Sequence, residues 1–396
     1  MRQFVLLAFR NVFRNRRRTV MTMLIVAVGV AALVLSGGFF VYMFRELAEG
    51  TIRFGIGHLQ IVDRAPQNDL AGYGEIVAAA RRAPHVRGTA PRLMFMGMAQ
   101  NGGKSDTFMA MGVDFPAERR MGFTLRITQG REVANDAEVI VADGLARSLG
   151  LKVGDTVKLL SAGSGGGLNA ADLKVAGTYS VGMREVDDHA LRMALAAAQR
   201  LVRTDRVSTV VVGLDATENT DAAYAALAAM LGRERPDVAI RKWVDMATFY
   251  RQCRGLFNGI FAFCGVIVFF MVVMSSANTL MMSMFERLRE IGAMLAMGTP
   301  RSWILALFVT EGIITGVLGA LTGVAAGRMI GEVLNRSGLE LPPPPATDMP
   351  LPFRVLFSPE IMAGASVLLV VTLVVASLAP AIRASRLKIV EALAHV

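Results

Sequence analysis

The stretch TVMTMLIVAVGVAALVLSGGFFVYMF, residues 19–44, decides the fold class. It places 26 uncharged residues between Arg18 and Arg45. As an α-helix that run reaches roughly 39 Å, against a bilayer hydrocarbon core of ~30 Å. Three further runs lie toward the C-terminus: residues 255–285 without a charge, 302–327 interrupted only by Glu311, and 361–382 without a charge. They predict an integral membrane α-helical protein with four transmembrane helices, TM1 to TM4, and a large α+β extracytoplasmic domain between TM1 and TM2.

Composition agrees with this class. Mean hydropathy is +0.47, 53% of the 396 residues are hydrophobic and 19% are charged, below the ~25% charge usual in soluble domains. A formal charge of +10 raises the question of nucleic acid, but the surplus is not concentrated in a groove. Residues 1–18 carry six arginines and no acid, whereas residues 45–254 carry 27 basic and 24 acidic groups, so no nucleic-acid partner is expected. Cys253 and Cys264 give neither a disulfide framework nor a metal-ligand spacing, and His58, His85, His189 and His395 are scattered.

The basic flanks set the orientation. Arg2, Arg10, Arg14, Arg16, Arg17 and Arg18 precede TM1, while Arg383, Arg386 and Lys388 follow TM4, so both ends are expected in the cytoplasm. A cleaved signal peptide is the competing reading of the N-terminus. The apolar run is too long for one and ends in Phe39, Phe40, Tyr42 and Phe44 rather than small residues, so TM1 is expected to be retained. The expected order is a basic cytoplasmic entry segment (1–18), TM1 (19–44), the extracytoplasmic domain (45–254), TM2 (255–285), a cytoplasmic amphipathic segment (286–301), TM3 (302–327), an extracytoplasmic loop (328–360), TM4 (361–382) and a cytoplasmic tail (383–396). The second outer loop contains a stiff run of four prolines at 342–345.

Between TM1 and TM2 the pattern turns to short strands and glycine turns. RLMFMGMAQ (92–100) and DTFMAMGV (106–113) flank Asn101-Gly102-Gly103 and predict a hairpin. Strands are expected at 139–142, 151–160 and 207–214, with helices at 189–202 and 217–231. SAGSGGGLNA (161–170) is expected to be a flexible loop tip. The tripeptide Gly103-Lys104-Ser105 is not a phosphate-binding loop: the required earlier glycine position holds Met98, and the segment continues as a strand. Glu185, Asp187, Asp188 and His189 form the densest ionisable cluster, but adjacent residues do not converge on one ion. A solvated turn is expected there. No GxSxG nucleophile motif is present.

In TM3, Gly312, Gly316, Gly319, Gly323, Gly327 and Gly331 recur at spacings of three or four, which lines one helix face and lets another backbone approach closely. Glu311 is the one acid well inside a span, and an interhelical hydrogen bond or a water-exposed position is expected for it. At the outer ends of TM1 and TM2, Phe40, Met43, Phe44, Phe257 and Phe261 form a candidate substrate cavity for an acyl chain, against the plainer role of interfacial anchors.

The stretch ERLREIGAMLAMGTPRSWI (286–304) is charged at its start, apolar along Leu288, Ile291, Met294 and Leu295, and stopped by Gly298 and Pro300. With FRNVFRNRRRT (9–19), VIVADGLARSLGLKVGDTVKLL (139–160), AGTYSVGMREVDDHALRMALAAAQRLV (176–202) and PAIRASRLKIVEAL (380–393), it resembles the FtsX-like, MacB-like and lipoprotein-releasing ABC permeases across nearly the whole chain. The resemblance implies a bacterial inner-membrane permease subunit in which Glu286, Arg287, Arg289, Glu290, Ile291, Gly292, Met294, Leu295 and Gly298 belong to a coupling helix docked on a separate ATPase. Relatives often carry Leu-Arg where this chain has Met294 and Leu295, a departure that removes one basic contact.

By the same resemblance the partners are an ABC ATPase dimer, a second permease copy or a paralogue, the lipid membrane, and a periplasmic acceptor or adaptor. No cofactor is expected on this chain; ATP and Mg enter through the ATPase. The implied activity is extraction or export of a lipoprotein or other amphiphile. The alternative is an FtsX-like scaffold that transmits ATPase motion to an extracytoplasmic hydrolase.

Overall fold

The computed structural model describes residues 2–14, 16–65, 68–123, 125–342 and 351–386. In chain order the helices are α1 (Arg2–Arg14), α2 (Arg16–Thr51), α3 (Tyr73–Ala80), α4 (Phe115–Arg120), α5 (Asp143–Leu149), α6 (Arg184–Asp187), α7 (Leu195–Val202), α8 (Thr220–Glu234), α9 (Trp243–Met246), α10 (Thr248–Glu286), α11 (Leu288–Ala296), α12 (Arg301–Arg336) and α13 (Pro359–Ser385). The strands are β1 (Leu59–Asp63), β2 (Val86–Asn101), β3 (Lys104–Val113), β4 (Arg126–Gly130), β5 (Glu138–Ala142), β6 (Thr156–Ala162), β7 (Leu168–Ser180), β8 (Ala190–Ala194), β9 (Thr209–Leu214) and β10 (Val238–Lys242). Two compact units result: residues 1–45, 253–341 and 352–396, and residues 46–252 with 342–351.

The first unit contains the spans. α2, α10, α12 and α13 are each long and apolar enough to cross a membrane. α2 and α10 extend beyond the uncharged runs, because a helix continues into charged residues at the interface without losing its backbone bonds. The helices meet in a core of Val26, Val30, Leu33, Val272, Ala320, Leu369 and Leu373.

The second unit is built on a mixed sheet. β10, β1, β9 and the first half of β2 form an antiparallel layer. α3 and α8 cover it, burying Ile76, Ala80, Ala223 and Leu227 against Leu59, Ile61 and Val210. The second half of β2 continues into a closed ring, β2-β3-β8-β5-β7-β6, that returns to β2. Leu93, Phe108, Val141, Leu159, Val175 and Leu191 fill this small barrel. Closure removes strand edges that would otherwise be left unpaired.

On one side of the barrel wall lies a buried charge triad. Arg92 Nε donates to Glu118 Oε1 at 2.5 Å, and Arg192 Nη1 donates to Glu118 Oε2 at 3.3 Å. Arg92 also donates through Nη1 to the carbonyl of Gly55, in the π-helical segment Ile52–Ile56 that joins α2 to β1.

Several expected elements are redrawn. The 92–100 and 106–113 hairpin forms with Gly102 and Gly103 at its turn. The strand expected at 151–160 begins only at Thr156: Gly154 takes a positive φ, and Asp155 accepts from the Lys152 amide at 2.8 Å, so residues 151–155 turn instead. The helix expected at 189–202 is a strand and then a helix, β8 and α7. Pairing of Ala190–Ala194 between β3 and β5 overrides the local helix preference of an Ala-rich run. The expected solvated turn at 185–189 is largely the short helix α6. Asp187 is buried there, accepting from Ser180 Oγ at 2.5 Å and the Val181 amide at 2.9 Å. Pro343 to Pro345 and the tail from residue 387 lie outside the described residues.

Candidate functional site

The polar centre of the membrane unit is built from three segments. Glu311, about three turns into α12, accepts from Asn11 Nδ2 of α1 and from Arg287 Nη1, each at 2.9 Å. Arg287 occupies the non-helical joint between α10 and α11. Its Nε reaches Glu290 Oε2 at 3.3 Å, and Glu290 Oε1 in turn accepts from Arg14 Nη1 at 2.6 Å. Asn11 and Arg14, three residues apart on α1, therefore close a ring through Glu311, Arg287 and Glu290. Burial acts to raise Glu290, and the bonds from Arg14 and Arg287 outweigh it, leaving the carboxyl below its ordinary value.

This ring fixes α11 from its polar side, and apolar packing fixes it from the other. Ile291 is buried among Met284, Ile304, Phe308, Ala381 and Ala384, with Met294 and Leu295 at the margin. Gly292 is also buried. Of the residues proposed for coupling, Ile291, Gly292, Met294 and Leu295 thus pack toward the other helices of this chain, and Arg287 and Glu290 sit in the ring. Glu286, Arg289 and Gly298 lie on the exposed side, together with Ala293, Ala296 and Met297. Met297 is 78% exposed. Sequence reading missed it because it falls just past the apolar periodicity. Asn11 and Arg14 were also missed, their only signal being a shared face of α1.

The glycine stripe divides between two neighbours. A Cβ on Gly312 would lie 3.2 Å from Ser377 Cβ, and one on Gly316 3.3 Å from a Leu373 methyl, both on α13. On Gly319 and Gly323 it would come within 2.9 Å of Val26 and 2.6 Å of the Ala27 carbonyl oxygen, on α2. Gly327 faces Ala31 of α2, and Gly331 faces Phe357 and Leu35. Glycine therefore sets the spacing of α12 against both helices.

At the other end of these helices the aromatic residues assemble. Phe40 lies 5.3 Å from Phe257 and 5.8 Å from Phe261 between ring centroids, and Phe44 lies 5.9 Å from Phe257. Phe39 stacks on Phe353 at 4.6 Å. Met43 is half-buried. Gly103 ends the turn between β2 and β3, and Lys104 and Ser105 begin β3, so the tripeptide is no strand-to-helix loop; among the described residues no group of three His, Cys, Asp or Glu side chains is placed to hold a metal ion.

This helix arrangement around an inserted α+β domain coincides with two matched family models: a MacB-like periplasmic core domain over residues 19–230, and an FtsX-like permease C-terminal region over residues 261–389. The chain belongs to the MacB/FtsX-like family of ABC permeases. As a member of that family it is a multi-pass inner-membrane protein whose α+β domain is periplasmic.

A macrolide export ATP-binding/permease protein, MacB, of Hyphomonas neptunium is 26% identical over 413 residues, covering 98% of this chain. The chain spans only 60% of that relative's length. An ABC transporter permease of Bacillus subtilis, YvrN, is 23% identical with both chains covered in full, 100% of each. The lipoprotein-releasing system transmembrane protein LolE of Haemophilus influenzae is 22% identical over 77% of this chain and 75% of its own.

Proposed function

We propose that this permease couples ATP hydrolysis by a separate ATPase subunit to movement of its periplasmic domain, and that the movement extracts a lipoprotein or another amphiphile from the inner membrane. The observation that carries the amphiphile reading is the aromatic assembly of Phe40, Phe44, Phe257 and Phe261, which brings the ends of two spans together. Tilted and edge-to-face rings, with the adaptable thioether side chain of Met43 on the same helix as Phe40 and Phe44, suit an acyl chain of variable shape. A relative named for lipoprotein release supports the same substrate class.

Energy enters, in this reading, through α11. Its exposed side, Arg289, Ala293 and Ala296, together with the flanking Glu286 and Met297, docks on the ATPase, while Ile291 and the ring around Glu311 carry the displacement into α1 and α12. A second permease, identical or related, pairs with this chain. α10 supports that arrangement, since Phe263, Ile267, Phe270 and Met274 are exposed along much of its length.

Photo-crosslinkers at Met43 and Phe261 in native membranes test the substrate. The expected result is capture of a lipidated or amphiphilic molecule, with a yield that falls during ATP turnover. Crosslinks to bulk phospholipid alone, insensitive to ATP, would reduce these residues to interfacial anchors.

A further inference from the structure

The outer face of the periplasmic barrel carries a patch of thioethers that the permease reading does not use. Alternate residues of a strand share a face, so Met94, Met96 and Met98 of β2 point the same way. Their antiparallel partners on β3 complete the set: Met94 pairs with Met111 and Met96 with Met109. Met96 is 70% exposed, and Met94, Met98 and Met109 are 45%, 42% and 45% exposed. Met111 is half-buried against the cluster around Phe115, Ile140 and Tyr179.

Opposite residues in an antiparallel pair hold their Cβ atoms about 4.5–5.5 Å apart, with diagonal neighbours at ~7–8 Å between strand positions. The methionine sulfur lies two bonds beyond Cβ on a flexible chain. Met94, Met96 and Met109 can therefore turn three sulfurs onto one point above the sheet. The register neighbours are Thr107 opposite Met98, Leu160 beside Met98 and Ala190 beside Met109. None of these three is a carboxylate, imidazole or thiol; the nearby His189 imidazole lies with Nδ1 3.2 Å from the Thr107 carbonyl oxygen. Arg192, beside Met111, is committed to Glu118.

We propose that Met94, Met96 and Met109 form a binding site for a soft monovalent cation, Cu(I) or Ag(I), with Met98 and Met111 flanking it. Thioether sulfur selects soft ions and binds Mg²⁺ or Ca²⁺ poorly. Neutral ligands leave the ion's charge uncompensated, which a solvent-exposed monovalent ion tolerates better than a divalent one. The site is independent of the amphiphile reading.

The test uses the full chain in nanodiscs, with Cys253→Ser and Cys264→Ser removing the competing thiols. Ag(I) is titrated against a chromophoric chelator, and Cu(I) likewise without oxygen. The expected result is one saturable equivalent, weakened at least tenfold by Met96→Leu with Met109→Leu and unchanged by Met183→Leu. Methyl-labelled methionine spectra of the parent protein provide a readout that needs no variant: Ag(I) should shift Met94, Met96 and Met109 first. Leucine keeps the apolar surface, so a patch that only docks an apolar partner would keep that partner in the double variant and bind no ion. Absence of a saturable equivalent, equal affinity in the double and Met183→Leu variants, or unshifted patch methyls would overturn the assignment.

Discussion

Arg287 Nη1 lies 2.9 Å from Glu311 Oε1, so the acid inside α12 is neutralised by a guanidinium from the joint between α10 and α11. Both side chains are largely buried. The pair joins the segment expected to face the ATPase to a membrane helix. Removing one member of such a pair typically costs ~3–5 kcal/mol, because the other charge stays buried.

That asymmetry gives a stability ranking. Arg287→Ala leaves the Glu311 carboxylate with the Asn11 amide alone, whereas Glu311→Gln leaves Arg287 bound to Glu290. In a Trp243→Phe background, fluorescence from Trp303 at the start of α12 reports melting of the membrane unit. Arg287→Ala should melt well below Glu311→Gln. Equal melting would mean that the pair carries little of the stability.

Gly323 sets a packing limit. A Cβ there would stand 2.6 Å from the Ala27 carbonyl oxygen and 2.7 Å from Val30 Cβ, so Gly323→Ala must push α12 away from α2 at a cost of about 1–3 kcal/mol. Gly364→Ala on α13 meets nothing within 4 Å and should be neutral. Thermal melting of the two variants makes the comparison. A neutral Gly323→Ala would remove the argument for close approach.

Acid sensitivity should come from Glu138. Its hydrogen bonds from Arg131 and the Ala134 amide hold the carboxyl at about 2, below its ordinary 4.5. A depressed carboxylate binds fewer protons folded than unfolded, so its contribution is complete above the unfolded value and is lost as pH falls toward 2. Unfolding of the periplasmic domain, followed from about pH 5 down to about pH 2, should show a steeper loss in the parent than in Glu138→Gln. Parallel profiles would remove Glu138 from the account.

Much of this was legible in the sequence, and the failures have physical causes. The uncharged run between Arg18 and Arg45 announced a membrane helix because a bilayer excludes charge over a fixed thickness, and α2 runs from Arg16 to Thr51. The glycine register of α12 was legible for the same kind of reason, a period of 3.6. Its division between α2 and α13 was not, since periodicity names a face and not the neighbour. Glu311 stood out, yet its partner Arg287 is 24 residues away and outside the span. Ala190–Ala194 reads as helix and pairs as strand because β3 and β5 supply the bonds. The methionines of β2 and β3 were visible as letters, but only the register put Met96 opposite Met109.

The central claim is that the two sides of α11 do different work, with Ile291 seating the helix and the side bearing Ala293 and Met297 receiving the ATPase. Copurification of the ATPase with Met297→Glu and Ala293→Glu, run beside Trp303 melting, tests it most directly. The account predicts at least tenfold less ATPase with both variants at unchanged melting, while Ile291→Ala lowers melting by the ~2–5 kcal/mol of a truncated core residue. Full retention of the ATPase by both glutamate variants would contradict it.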